Sequence, residues 1–177
     1  MSTVTVLLIF ISFIIVLIQE CFIPNFASHF ATNNKWNAGI VLHIFGHSGW
    51  SHFLGNIVYI AMLCPCIEDK FGTIPLAIIT LLGALVIGIV SVVSGIPCYG
   101  LSSIAYMWVI LNTFQTDESE GLPITSIILL LVFVLPEFLA MFTKTDHIAH
   151  QNHVLGAVCG LGFGIATKIL SSVGNDK

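Results

Sequence analysis

The sequence predicts an all-α, polytopic membrane protein built as a bundle of six transmembrane helices. Three observations carry this prediction. Of 177 residues, 56% are hydrophobic and only 8% charged, with a mean hydropathy of +1.01, against about 25% charged in an ordinary soluble domain. The apolar runs are continuous, whereas the strands of a membrane barrel alternate over about ten residues. Six spans of about 20 residues would use roughly 120 of the chain, leaving short loops and no room for a soluble domain of ordinary size. That excludes nucleotide-driven pumps and receptors with extramembrane modules. Residues 1–177 read as one membrane domain.

The first span runs from about Val4 to Ile23. Met1 to Phe22 lacks a basic leader and an A-x-A cleavage signal, so it reads as a retained span rather than a signal peptide. A wetter stretch follows, Pro24 to about Trp50, in which Phe26, Phe30, Trp36, Phe45 and Trp50 alternate with asparagines. Aromatic residues among polar ones suit the membrane interface, so this loop is expected to lie partly in the headgroups. The second span, about Ser51 to Ile67, is ended by Glu68-Asp69-Lys70, and the third, about Ile74 to Val93, by Ser94-Gly95-Ile96-Pro97. The fourth is short, Gly100 to Thr113. An acidic loop, Gln115 to Gly121, leads to the fifth, about Leu122 to Phe142, and the sixth runs from about His147 to Leu170. Glu137, late in the fifth span beside Pro136, reads as a marker of the water boundary, with a wet cavity wall as the alternative.

The net charge is −4, and the five basic residues are all lysines that form no tract, so nucleic-acid binding has no electrostatic basis. Five scattered cysteines argue against a disulfide scaffold and read as small buried apolar residues. Both termini are expected on the cytoplasmic side of a cell or inner membrane. Lys70, Lys168 and Lys177 then lie inside and Lys35 and Lys144 outside, a weak positive-inside bias.

Polar chemistry is concentrated in three places. His43, His47 and His52 precede Asn56, and His147, His150 and His153 form a second group. His52 and Asn56 share a helical face and can both donate toward one point, or they act as interhelical glue. Ser102 follows Gly100-Leu101 at the start of the fourth span. There it is either an N-cap or a nucleophile beside free backbone N–H groups. Tyr106 is one turn on and shares the Ser102 face. His153, Gly156 and Gly160 fall at i, i+3, i+7, so an imidazole shares a face with two glycines that let another helix approach closely.

Taken together, in this order and spacing, these features resemble the rhomboid intramembrane serine proteases over about His43 to Gly164. His43-x3-His47-x4-His52-x3-Asn56 is similar to the family's histidine ladder, and Glu68-x3-Gly72 to its acidic turn. Gly100-x-Ser102 is similar to the nucleophile motif, and His153-x2-Gly156-x3-Gly160 to the last-helix motif. The resemblance implies a rhomboid-like bundle, a Ser102–His153 catalytic dyad, and Tyr106 stacked under the imidazole. It implies an oxyanion site from His52, Asn56 and the Ser102 backbone N–H. No acidic third member, cofactor or metal is implied. The substrates implied are single-pass transmembrane proteins in the lipid bilayer, cut near the membrane edge.

The chain departs from the family pattern in Ser103, where glycine is usual, and in Trp36-Asn37, where Trp-Arg is familiar. Ala149-His150 also resembles the stretch before the last-helix motif, which keeps His150 as an alternative base. Two other readings compete. One is a rhomboid-like protein that binds membrane clients without cutting them. The other is a heavy-metal transporter, suggested by Cys64-Pro65-Cys66 and the histidines, although no His-Glu-x-x-His is present. The short fourth span is expected to leave Ser102 at the floor of a water-filled cavity. Phe142 to His147 is expected to cover it, and Phe138, Met141 and Phe142 to form a lateral gate for substrate.

Overall fold

A computed structural model describes residues 2–33, 35–113, 124–145 and 148–175. The acidic loop, the first residues of the fifth span, and His147 with its part in the second histidine group lie outside the described residues. Six helical segments are found among the described residues. They are α1 (Thr3–Cys21), α2 (Trp50–Phe71), α3 (Thr73–Ser94), α4 (Ser102–Thr113), α5 and α6 (His150–Asn175). Helix α5 joins Ile124–Leu129, a π turn Leu130–Val134 and Leu135–Thr143. Four helices, α1, α2, α3 and α6, are each long and apolar enough to cross a bilayer. Their outward side chains, among them Phe10, Leu54, Met62, Ile78 and Leu161, are exposed. Such an apolar exterior fits lipid as solvent, and the protein is an integral membrane protein.

Helix α4 is the axle of the bundle. Ile104, Met107, Trp108 and Leu111 are fully buried around it. Twelve of its residues, Ser102–Thr113, are described. Its main partner is α6. A Cβ on Gly156 would strike the Ser103 carbonyl oxygen, and one on Gly160 the Met107 carbonyl oxygen. These glycines are what let the two backbones touch.

The second helix runs four residues beyond the expected end at Ile67, so Glu68 lies inside α2 and is buried. The physical reason is that its carboxylate has partners. It accepts the Thr3 and Val4 backbone N–H groups, both at 3.0 Å, the Thr73 hydroxyl at 2.7 Å and the Ser2 hydroxyl. The first N–H groups of a helix lack intrahelical acceptors, so a carboxylate there completes α1 and ties it to the α2–α3 turn.

The loop before α2, expected to lie partly in the headgroups, buries Ala31, Thr32, Gly39, His43, Ile44, Gly46 and His47 while Trp36 and Leu42 stay exposed. Short turns at Phe26–Phe30, Gly39–Leu42 and His43–Phe45 fold it against α3. A Cβ on Gly88 would strike Ile40, Thr32 Oγ1 lies 2.7 Å from Ser91 Oγ, and His43 Nε2–H donates to the Ala84 carbonyl at 3.0 Å. These contacts brace the loop without any arginine. In turn the loop holds the approach to α4. Cys98 N–H donates to Thr32 Oγ1 at 2.9 Å, and Gly100 N–H to the His43 carbonyl at 2.8 Å.

Candidate active site

Gly100 takes φ +105°, a conformation side chains rarely adopt, and a Cβ there would come within 2.8 Å of the His52 ring. This turn lets α4 begin at Ser102 directly beneath His52. The first α4 bond recorded runs from Ala105 N–H to the Leu101 carbonyl at 2.9 Å, so the Ser102 and Ser103 N–H groups precede it. They are the donors a helix start offers to an anion.

Ser102 Oγ is 2.7 Å from His153 Nε2, and the Tyr106 ring stacks on the His153 ring at 4.7 Å and 20°. On its other edge His153 Nδ1 lies 2.8 Å from Glu137 Oε2. A carboxylate can only accept there, so the proton sits on Nδ1 and Nε2 presents its lone pair to the Ser102 hydroxyl. His150 Nδ1–H also donates to Glu137 Oε2, at 2.5 Å, and the Tyr106 hydroxyl donates to Oε1 at 3.1 Å. The ring that meets Ser102 is His153, while His150 turns its Nδ1 to Glu137.

His52 is oriented from behind. Its Nδ1 accepts the Ser48 N–H at 3.2 Å, so the proton of a neutral ring sits on Nε2, which would lie 2.8 Å from a Cβ on Gly100. Asn56, one turn below, is buried. Its Nδ2 donates to the His52 carbonyl at 3.1 Å and lies on the same side of Gly100 as the His52 ring, 3.6 Å from where a Cβ would sit. His47 packs edge-on to His52, 5.0 Å between ring centres. Burial, with His52 close by, holds His47 down at about 4, so it stands as a neutral ring in the loop.

A cavity of about 410 Å³ opens over this group, walled by His52, Tyr99, Ser102, Ile148, Ala149 and His153 among others. Ser103 in place of glycine is accommodated. Its hydroxyl is buried and points to Cys98 Sγ at 3.8 Å, which also lies 3.7 Å from His43 Nδ1. Burial pushes the Cys98 thiol up to about 11, so at neutral pH it is no nucleophile although it borders the cavity. A smaller pocket of about 120 Å³ continues from Ser102 and His153 past Tyr106 to Tyr59 and Phe133, whose rings meet edge to face at 5.3 Å. Phe138 and Phe142 are exposed on α5 and contact each other at 5.4 Å, with Met141 half-buried between them.

Glu137, Tyr59 and Phe133 were not among the expected site residues. Glu137 is turned inward to three side chains instead of marking the water boundary. The available signal was the carboxylate itself, since an ionisable group within a span needs a partner. The donor atoms of Glu137, His150 and His153 lie within 4.8 Å of one another, the only such trio among the described residues. Two histidines and a carboxylate could in principle hold zinc. Here each Nδ1–Oε2 contact has hydrogen-bond length, and the proton such a bond needs takes the lone pair that a metal would use.

Comparison with curated proteins returned no significant match. The Rhomboid domain family model matches residues 33–169, which covers every residue of this cluster. Members of that family are intramembrane proteases or their inactive relatives. With most of its length matched, this chain belongs to the rhomboid family.

Proposed function

We propose that the protein is an intramembrane serine endopeptidase that cleaves single-pass transmembrane substrates near the membrane edge. The observation that carries this reading is the 2.7 Å contact of Ser102 Oγ with an imidazole whose opposite nitrogen is already engaged. A chain lacking the chemistry has no need of a serine and a tautomer-fixed histidine at the floor of a cavity.

In the acylation step, Ser102 Oγ attacks the scissile carbonyl carbon as its proton moves to His153 Nε2. A C–O bond forms and the carbonyl oxygen becomes an oxyanion. The Ser102 backbone N–H and His52 Nε2–H face it, and Asn56 holds the His52 turn and adds its remaining amide hydrogen. Collapse breaks the C–N bond, and the proton on His153 passes to the leaving amine. Water then repeats the sequence on the acyl-enzyme and releases the acid. Tyr106 keeps the ring flat against α4 throughout.

Substrate reaches the site from lipid between α2 and α5. The small pocket from Ser102 to the Tyr59–Phe133 contact supports this path, and Phe138, Met141 and Phe142 continue the same α5 edge as the lateral gate. Both termini are assigned to the cytoplasmic side of a cell or inner membrane, which sets the cavity toward the opposite face. The deciding test is cleavage of a reporter transmembrane substrate in liposomes by wild type and Ser102→Ala, with a fluorophosphonate probe as a direct measure of the nucleophile. Equal turnover by the two proteins would sink the proposal. A folded wild type that neither cuts nor labels would favour the client-binding reading.

A further inference from the structure

Glu137 belongs to none of the motifs that carry the family resemblance, yet it accepts three hydrogen bonds at the heart of the site. Resting on the protease reading above, we infer that Glu137 is a positioning residue that completes a Ser102–His153–Glu137 relay.

The argument starts from cost. A carboxylate inside an apolar bundle is expensive unless its lone pairs are used. Those of Glu137 are used by His153 Nδ1–H at 2.8 Å, His150 Nδ1–H at 2.5 Å and Tyr106 O–H at 3.1 Å. Its side chain is 18% exposed. Each donor has its own reason to be there. His150 and His153 are three apart on α6 and so share a face. Tyr106, one turn after Ser102 on α4, already stacks on His153.

The fold also invests in aiming Glu137. Pro136 carries no N–H, so a regular helix would leave a carbonyl one turn earlier unpaired. A π turn, Leu130–Val134, precedes it, with Leu135 N–H bonding to the Leu130 carbonyl. One extra residue in a turn rotates everything after it by about 100°. That rotation decides which way Glu137 faces, and in this register it faces His153.

A carboxylate on Nδ1–H does two things for a histidine base. It fixes the tautomer with Nε2 free to take the Ser102 proton, and it stabilises the imidazolium that forms. Stacking on Tyr106 can hold the plane of a ring but cannot choose which nitrogen carries the proton. His150 and Tyr106 steady the carboxylate from the other sides, so the relay is anchored at both ends.

The test compares wild type with Glu137→Gln and Glu137→Asp in three readouts. They are kcat and KM on a reporter substrate in liposomes, the rate of fluorophosphonate labelling at Ser102, and the tautomer of His153 by ¹⁵N NMR of histidine-labelled protein, assigned with His153→Ala. In a soluble triad an acid-to-amide change costs about 10⁴ in kcat. With Tyr106 still stacked, the expected loss for Glu137→Gln is about 10²-fold in kcat and labelling, with KM within about twofold. Glu137→Asp should recover at least about tenfold of this, since it restores the charge at a slightly longer reach. The wild-type ring should be the Nδ1–H tautomer.

Turnover and labelling at wild-type levels in Glu137→Gln would overturn the inference while leaving the dyad intact. Should the glutamine variant fail to fold, the wild-type spectrum decides, and an Nε2–H ring there overturns it. Activity lost on chelation and restored by Zn²⁺ would overturn it as well, by making the same trio a metal centre. A wild type with no Ser102-dependent labelling at all removes the protease reading itself and this inference with it.

Discussion

Two carboxylates, Glu68 buried and Glu137 half-buried, sit at opposite ends of this bundle, and they are used differently. Glu68 accepts two backbone N–H groups and two hydroxyls. Glu137 accepts two imidazole N–H groups and a phenol. Helix α2 separates Glu68 from His52 by sixteen residues, about 24 Å along its axis. The partners of Glu68 keep their protons at every physiological pH, so that carboxylate can only join elements. The partners of Glu137 include the imidazole that takes the Ser102 proton in the proposed reaction. The lesson is that burial alone does not mark a functional acid in a membrane; the chemistry of its donors does.

Four outcomes would sharpen or break that contrast. The largest lies at the Glu137 end. Ser102→Ala and His153→Ala should each lower liposome cleavage by about 10⁴-fold or more while the protein remains folded. His150→Ala should be mild, because Glu137 keeps its bond to His153. The reverse pattern for the two histidines would move the base to His150.

Next comes the oxyanion wall. His52→Ala should cost about 10²-fold, and Asn56→Ala about tenfold, both mainly in kcat, since such donors act more strongly in the transition state. Initial rates over a range of substrate densities separate kcat from KM. Effects confined to KM or to thermal stability would reassign both side chains to interhelical glue.

At the other end, Glu68→Ala should leave turnover per folded molecule unchanged and lower stability by about 2–3 kcal/mol, because the start of α1 loses its acceptor. Thermal unfolding in detergent measures this. A selective loss of kcat with an unchanged melting temperature would erase the distinction between the two acids. The smallest effect is expected at the α5 edge. Phe138→Ala or Phe142→Ala should raise turnover of a membrane-embedded substrate about two- to threefold by easing opening. Unchanged or lower activity in a folded variant would place substrate access elsewhere and leave these rings a packing role.

The apolar runs made the helical membrane architecture legible, because the bilayer's demand on backbone groups leaves little choice. Ser102, His153 and the glycines were legible for a related reason: a helix start, an imidazole and a close-contact face each impose a fixed spacing along the chain. Glu137 was not, since its partners are 13 and 16 residues away on α6 and its facing depends on a π turn that no simple period encodes. The packed loop was hidden for another reason. Its burial comes from Gly88 on α3 admitting Ile40, a contact between distant segments with no local pattern. Likewise Glu68 was placed just beyond the second span because three of its four donors lie some 65 residues earlier in the chain.

The glycines of α6 have one more consequence. Where Gly156 and Gly160 lie on the Ser103 and Met107 carbonyls, the two helices meet at bare backbone. Backbones in contact cannot approach further, and the packed residues around them resist separation. The spacing between nucleophile and base is therefore a hard stop, like two rails bolted together, rather than the resting length of a spring of side chains. A bilayer that thickens, thins or changes its lipids can tilt α4 and α6, but it tilts them as one piece. The membrane can deform the surroundings of the site without retuning the gap between Ser102 and His153.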